Sequence, residues 1–279
     1  MKNKLVAFAL FSTVLLAGCN QGTAEETDES SASVASSEIA EQESSSESTA
    51  ETESEEPVEE DIEYRYQVNQ TNYAIEPIAE AAGEEKVALL TFDDAPDEYS
   101  VEIARKLKEI DAPAIFFVNG MYIESDEGKE ALKEIYELGF EIGNHTQTHQ
   151  NLQNISPEEQ EAEILETSQL IEEVTGQKPR FFRAPHGANT DVSREIVEAE
   201  NMTLMNWTFG YDFQPGYQDA ESLIDITLNT ELLYNGANIL MHDREWTNEA
   251  ILPIIEGLEE KGYSFVDPTL IASPESEEE

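Results

Sequence analysis

One cysteine, Cys19, stands in a chain of 279 residues. The rest of the sequence therefore cannot close an internal disulfide or build a thiolate metal site. Basic side chains are scarce as well: 15 Lys and Arg face 61 Asp and Glu, for a formal net charge of −46. Nucleic-acid binding needs Lys and Arg clustered over phosphates, so that class of partner is excluded. The apolar stretch Leu5 to Leu16 is shorter than the roughly 20 residues that a membrane-spanning helix needs. There is no internal repeat and no glycine-rich phosphate loop. Histidine is also sparse, with 4 in the chain, and all of them fall where chemistry can use them.

The N-terminus carries Lys2 and Lys4, the apolar Leu5 to Leu16, and then Leu16-Ala17-Gly18-Cys19. This predicts a lipoprotein signal over residues 1–18, with Cys19 lipidated as the first mature residue; an ordinary cleaved signal with an incidental cysteine is the alternative. Lipid there would hold the protein on the outer face of a bacterial cell membrane. Residues 19–61 are Ser, Thr, Glu and Ala with almost no large apolar side chain, which predicts a disordered acidic tether. A lead-in over 62–85, a folded unit over 86–270 and an acidic tail over 271–279 complete the expected organisation, and a monomer is expected. The acidic excess persists in the folded unit. It reads as a solvated surface suited to high salt or high pH, or as attraction to a cationic polymer such as a deacetylated amino sugar.

From Lys86 onward, seven apolar segments with strand character alternate with helical periodicity. The strands are expected at Val87–Leu90, Ala114–Val118, Phe140–Gly143, Arg180–Arg183, Thr203–Phe209, Asn238–Met241 and Ser264–Val266. Helices are expected at Tyr99–Ile110, Lys129–Leu138, Ser156–Thr175, Asp191–Glu200, Ala220–Leu233 and Asn248–Lys261. Ser156-Pro157-Glu158-Glu159 reads as a capped helix start, and Gly176 as its stop. The alternation predicts a parallel α/β fold, and a barrel is favoured over an open sheet because every polar motif follows a strand's C-terminal end.

Those motifs carry the chemistry. Asp94, His145 and His149 offer a carboxylate and two imidazoles to one divalent ion. The two histidines, spaced i and i+4, can converge on a helical turn. Surface histidines in a loop would explain the pair equally simply. In an extended segment Asp93 should face away from Asp94, where it could serve as a base or merely stabilise a turn. His242, at a strand end, is placed to act as a general acid. Arg183 is a candidate to keep Asp93 ionised, and Asp212 to hold the tautomer of His242. Trp207, Phe213 and Leu240 could wall a small apolar pocket, though Trp207 fits core packing as well. His186 is ambiguous.

Taken together, Thr91-Phe92-Asp93-Asp94, Gly143-Asn144-His145-Thr146 with His149, Arg183-Ala184-Pro185-x-Gly187 and Leu240-Met241-His242-Asp243 resemble the polysaccharide deacetylases of carbohydrate esterase family four, also called the NodB homology domain. Phe116-Phe117-Val118 and Asn151-Leu152 fit too, and the likeness spans Lys86 to Asp267. The resemblance implies an irregular (β/α)7 barrel as the catalytic domain. It also implies Asp93 as base, Asp94, His145 and His149 as ligands of zinc or another divalent metal such as cobalt, and His242 as acid. Arg183 and Asp212 would tune the base and the acid. Pro185, His186 and Gly187 would lie against substrate, with a backbone N–H there helping to stabilise an oxyanion. The implied substrate is an acetylated polysaccharide outside the cell, first peptidoglycan N-acetylglucosamine, then chitin-like oligomers, then acetylated xylan. The rival readings are a non-catalytic glycan-binding lipoprotein and an amidase for small cyclic amides. The sequence departs from the family at His186, where an aromatic is common, and at Phe213, where Trp is common.

Overall fold

The computed structural model describes residues 63–78 and 86–274. The expected signal, Cys19, the tether and the tail from residue 275 lie outside the described residues, as do residues 79–85.

A two-stranded antiparallel ribbon, β1 (Tyr66–Val68) with β2 (Ile75–Pro77), comes first. The alternating unit follows as β3 (Val87–Ala95), α1 (Ser100–Glu109), β4 (Ala114–Val118), α2 (Asp126–Glu137), β5 (Glu141–Asn144), α3 (Pro157–Thr175) and β6 (Phe181–Phe182). It continues as α4 (Asp191–Ala199), β7 (Thr203–Leu204), β8 (Phe209–Gly210), α5 (Ala220–Asn229), β9 (Ala237–His242), α6 (Glu245–Glu260) and β10 (Ser264–Phe265). The strands form one parallel sheet in the order β7-β6-β5-β4-β3-β9-β8, with β10 pairing the start of β3. The sheet curls into a half-barrel, and its edge strands β7 and β8 do not pair with one another.

Strand parity sorts the core into two layers. Val87 and Leu89 of β3, Ile115 and Phe117 of β4, Phe181 of β6 and Met205 pack on the concave side. Ala88, Leu90, Phe92, Phe116 and Val118 face the other way, against Ile103, Leu107, Leu132, Ile135, Ile254 and Leu258 of the helices. Successive residues of a strand point to opposite faces, and helices cover the outer one, so these strands read as unbroken apolar runs. The start of α3 is as expected: Ser156 and Glu159 form a reciprocal capping box, Pro157 opens the helix, and Gly176 closes it at φ 75.

Several boundaries differ from expectation. The segment Thr203–Phe209 is not one strand: β7 and β8 are its two ends, on opposite edges of the sheet. The carbonyls between them turn inward, because the Arg183 guanidinium takes Met205 O at 3.1 Å and Asn206 O at 2.9 Å. β3 runs on through the Asp pair rather than ending at Leu90. α2 starts at Asp126, where Ser125 accepts the N–H of Gly128. α6 starts at Glu245 and α5 stops at Asn229. Among the described residues no helix is long and apolar enough to cross a membrane.

Gly143 shows why this layering needs a residue without a side chain. A Cβ there would lie 2.5 Å from Cδ1 of Phe117, the ring on which the Arg183 guanidinium rests at 4.2 Å. Gly143→Ala is expected to destabilise the protein by about 1–3 kcal/mol through overpacking. Urea unfolding measures this directly, and an unchanged midpoint would contradict it.

Candidate active site

The inward column of β3 changes from apolar to polar as it rises: Val87, Leu89, Thr91, Asp93. At its top Asp93 lies in register with His242 of β9. The chain leaving β6 brings Arg183 beneath them, and the chain leaving β5 brings His145 beside them. All of this happens at the C-terminal ends of parallel strands.

Arg183 is fully buried, and its guanidinium is saturated. Besides the two carbonyls, it donates from Nη1 to Thr91 Oγ1 at 2.9 Å and to Asp93 Oδ1 at 2.7 Å, and from Nη2 to Asn238 Oδ1 at 3.3 Å. Burial by itself would raise the Asp93 carboxyl pKa. Arg183, His145 and His242 outweigh that effect, so Asp93 sits below its ordinary value and is ionised at neutral pH.

Asp94 departs from the expected alternation. The register of β3 against β4 shifts between Phe92 and Ala95, and Asp94 has φ 63. The irregularity lets both carboxylates reach the histidines. Asp93 Oδ2 is 3.5 Å from His145 Nε2, and Asp94 Oδ1 is 3.5 Å from His149 Nε2. The candidate ligand atoms of Asp94, His145 and His149 all lie within 4.8 Å of one another.

The two histidines do not converge on a helical turn, as their spacing suggested. They sit on a loop whose reversals come from positive φ at Thr146 (69°) and His149 (56°). Such conformations cost about 1–3 kcal/mol for residues other than glycine and collect at functional sites. Side chains to which the sequence reading gave no role hold the loop in place. Asn119 Nδ2 donates to His145 O at 2.6 Å and Thr146 O at 3.2 Å. Asn144 Oδ1 accepts the Thr146 N–H at 2.8 Å, and Glu163 Oε2 on α3 accepts the Thr148 N–H at 2.7 Å. Glu163 lies on the buried face of α3 with Gln160, Ile164 and Thr167, and one Glu among many on this helix carried no local signal of that role.

The His145 ring is fixed as well. Its Nδ1 lies 2.7 Å from Arg183 O, so the proton sits on Nδ1 and Nε2 keeps its lone pair. Burial lowers the pKa of both histidines, and His145 and His186 push His149 further down, to about 4. Neutral imidazoles are what a cation requires.

On the other side, His242 Nδ1 is 2.8 Å from Asp212 Oδ1. Asp212 is fully buried; its Oδ2 also accepts from the His242 N–H at 2.5 Å and Thr247 Oγ1 at 2.9 Å. Burial alone would lower the His242 pKa; Asp212 reverses the balance and raises it.

The candidate substrate residues surround these groups. Pro185 is buried and His186 is exposed, with φ 59 and its ring edge-on to His149 at 4.9 Å. Gly187 has φ 65, and a Cβ there would come within 3.3 Å of Trp207. Trp207 borders Arg183 at 5.9 Å. Phe213 is 48% exposed and edge-on to His242 at 5.5 Å, whereas Leu240 is buried one inward step below His242.

Two more residues escaped the sequence reading as site elements. Asp243, one residue beyond His242, is buried and accepts the backbone N–H groups of Glu98, Tyr99 and Ser100 at the start of α1. Arg244 donates to Asp94 Oδ2 at 2.7 Å.

A parallel half-barrel with an Asp/His/His cluster at its strand ends, flanked by an Arg-paired carboxylate and an Asp-paired imidazole, defines a candidate hydrolytic metal centre. The sequence profile of the Polysaccharide deacetylase family matches residues 80–205. A Bacillus cereus protein described as peptidoglycan-N-acetylglucosamine deacetylase is 32% identical over 199 residues, covering 67% of this chain and 88% of that one. The chain belongs to the polysaccharide deacetylase family. Among solved structures, a T48 deacetylase with substrate is similar at 31% identity and TM-score 0.60, over 66% of this chain and 90% of that one. A wild-type family four pseudoenzyme from Bacillus anthracis is similar at 29% identity and TM-score 0.61, over 68% of this chain and 66% of that one.

Proposed function

We propose that the protein hydrolyses N-acetyl groups on an extracellular polysaccharide, with peptidoglycan N-acetylglucosamine as the first candidate substrate and chitin-like oligomers as the second. The observation that carries this reading is the flanking of one Asp/His/His cluster by two oppositely tuned proton carriers. Asp93 is held ionised by Arg183, and His242 is held toward imidazolium by Asp212. The peptidoglycan-N-acetylglucosamine deacetylase of Bacillus cereus supports the choice of polymer.

The donor set fits a divalent ion such as zinc or cobalt. It has two nitrogen ligands and one oxygen ligand within 4.8 Å of one another, and one imidazole is oriented by a carbonyl behind it. Held by Asp94, His145 and His149, such an ion supplies Lewis acidity toward the acetyl carbonyl and toward water. In this reading Asp93 accepts a proton from the attacking water. A backbone N–H near Pro185–Gly187 donates to the developing oxyanion. His242 gives its proton to the departing sugar nitrogen, and acetate and a free amine result. Lipidation at Cys19 and placement on the outer face of the membrane would set the enzyme beside such a polymer.

The test is acetate release and amine formation from N-acetylglucosamine oligomers and peptidoglycan, with acetylated xylan as a comparison. Equal amounts of acetate and amine are expected. Turnover of xylan esters alone would make the protein an esterase instead.

Similarity to a family four pseudoenzyme favours a second reading, a non-catalytic glycan binder. Retention of both Asp93 and His242, each with its partner at 2.7–2.8 Å, argues against it. Glycan binding without acetate release from any of these polymers would establish it.

A pH profile separates the acid from a merely structural histidine. His242 must be protonated to donate, so kcat/KM falls as pH rises through its raised pKa. Asp212→Asn removes the charge that raises that pKa, and the alkaline limb is expected to move to lower pH. A limb that stays in place would remove His242 from the acid role.

A further inference from the structure

The carboxylate of Asp94 is divided between two neighbours. Oδ1 faces the histidines, 3.5 Å from His149 Nε2, while Oδ2 takes a hydrogen bond from Arg244 Nη2 at 2.7 Å. Arg244 is itself anchored: Nη1 donates to Asp243 O at 2.6 Å and lies 3.8 Å from Asp97 Oδ2. Its backbone is pinned too. The Asp243 N–H donates to Asp93 O at 3.1 Å, and the Asp243 carboxylate takes Ser100 N at 2.9 Å and Ser100 Oγ at 2.5 Å. One strand end thus clamps the loop after Asp94 through Asp243 and grips Asp94 itself through Arg244. Asp94 has φ 63 and lies where the register of β3 against β4 shifts, so its direction is set outside the regular strand alternation.

We propose that Arg244 is a positioning residue for the ion held by Asp94, His145 and His149: by engaging Oδ2 it presents Oδ1 alone, and so sets one-oxygen coordination. This rests on the metal-centre reading above and assigns a role to a residue outside the ligands, the base and the acid. A carboxylate with one oxygen withheld suits a compact four-coordinate ion with an open position, such as zinc. A carboxylate free to turn can offer both oxygens, as larger oxygen-seeking ions prefer. Hydrogen-bond partners of ligands typically tune metal affinity by about 10–100-fold.

The experiment measures zinc affinity by chelator competition, and the visible spectrum of the cobalt-loaded protein, for the full chain and for Arg244→Ala, Arg244→Lys and His149→Ala. Far-UV circular dichroism confirms the fold of each. Arg244→Ala is expected to bind zinc about 10-fold or more weakly, and its cobalt absorption is expected to weaken per ion as coordination number rises. Arg244→Lys should recover part of the affinity, since it keeps the charge without the rigid fork. Normal zinc binding by the wild type, with Arg244→Ala unchanged in affinity and spectrum, overturns the role of Arg244 alone. His149→Ala binding zinc as tightly as the wild type overturns the metal centre, and this proposal with it.

Discussion

Asp93→Asn is expected to lower kcat/KM by about 10²–10⁴-fold, the usual contribution of a positioned proton acceptor, with zinc affinity unchanged. The substitution is close to isosteric. Asn retains an Oδ1 acceptor for the Arg183 Nη1 that now sits 2.7 Å away, so the buried guanidinium keeps its five hydrogen bonds while losing its counter-charge, and some stability is expected to be lost with the activity. What disappears is a carboxylate that is ionised at neutral pH in spite of its burial. Parallel measurements of acetate release and zinc binding separate the two roles of the Asp pair. A variant that binds zinc and keeps full activity would end the assignment of Asp93 as base.

Arg183→Met should have the largest effect on stability. Removing one member of a buried ion pair leaves an uncompensated charge, at a cost of about 3–5 kcal/mol. Here it would also free the Met205 and Asn206 carbonyls that the guanidinium draws into the open side of the half-barrel. The sign of the pH dependence identifies the cause. With Arg183 present, the folded-state pKa of Asp93 lies below its ordinary 3.8, so the pair contributes fully above that value and loses its contribution as pH falls through the folded pKa. Without Arg183, two of the contributions that lower this pKa are gone while desolvation stays, so the folded-state pKa is expected to rise, and above the unfolded one if burial outweighs His145 and His242. The carboxyl then disfavours folding at neutral pH, and protonation relieves the strain as pH falls. The deficit of Arg183→Met in urea unfolding should therefore be greatest near neutral pH and shrink toward acid. Arg183→Met combined with Asp93→Asn should recover part of it. A deficit independent of pH would assign the loss to packing and carbonyl contacts instead of charge.

Much of this site was legible because its polar motifs follow apolar strands at their C-terminal ends, and strand parity explains in the structure why they share one side. Once Val87 and Leu89 face inward, Thr91 and Asp93 must as well, and the same count along β9 and β6 turns His242 and Arg183 to the same side. The capping box at Ser156 and the stop at Gly176 were equally local, since each is settled within a few residues. What could not be read is what tertiary contact decides. Nothing in the spacing of His145 and His149 distinguishes a helical turn from a loop held by Asn119 and Glu163, residues 26 and 15 positions away from the groups they hold. The reversal at Asp94 breaks the alternation rule at the residue where the rule was applied. The split of Thr203–Phe209 depends on a guanidinium arriving from β6, which no window of local sequence contains. Arg244 was passed over because an arginine at a helix start is ordinary until its partner is known to be Asp94.

In the proposed function Asp94, His145 and His149 hold one divalent ion, and acetyl hydrolysis depends on it. The most direct measurement is acetate release from N-acetylglucosamine oligomers by the stripped protein, titrated with zinc while bound zinc is counted. Activity should rise in proportion to zinc and level off at one ion per chain, and His145→Ala should remain inactive throughout. Activity that is undiminished after complete removal of metal, or that is unaffected by the loss of His145, would contradict the account.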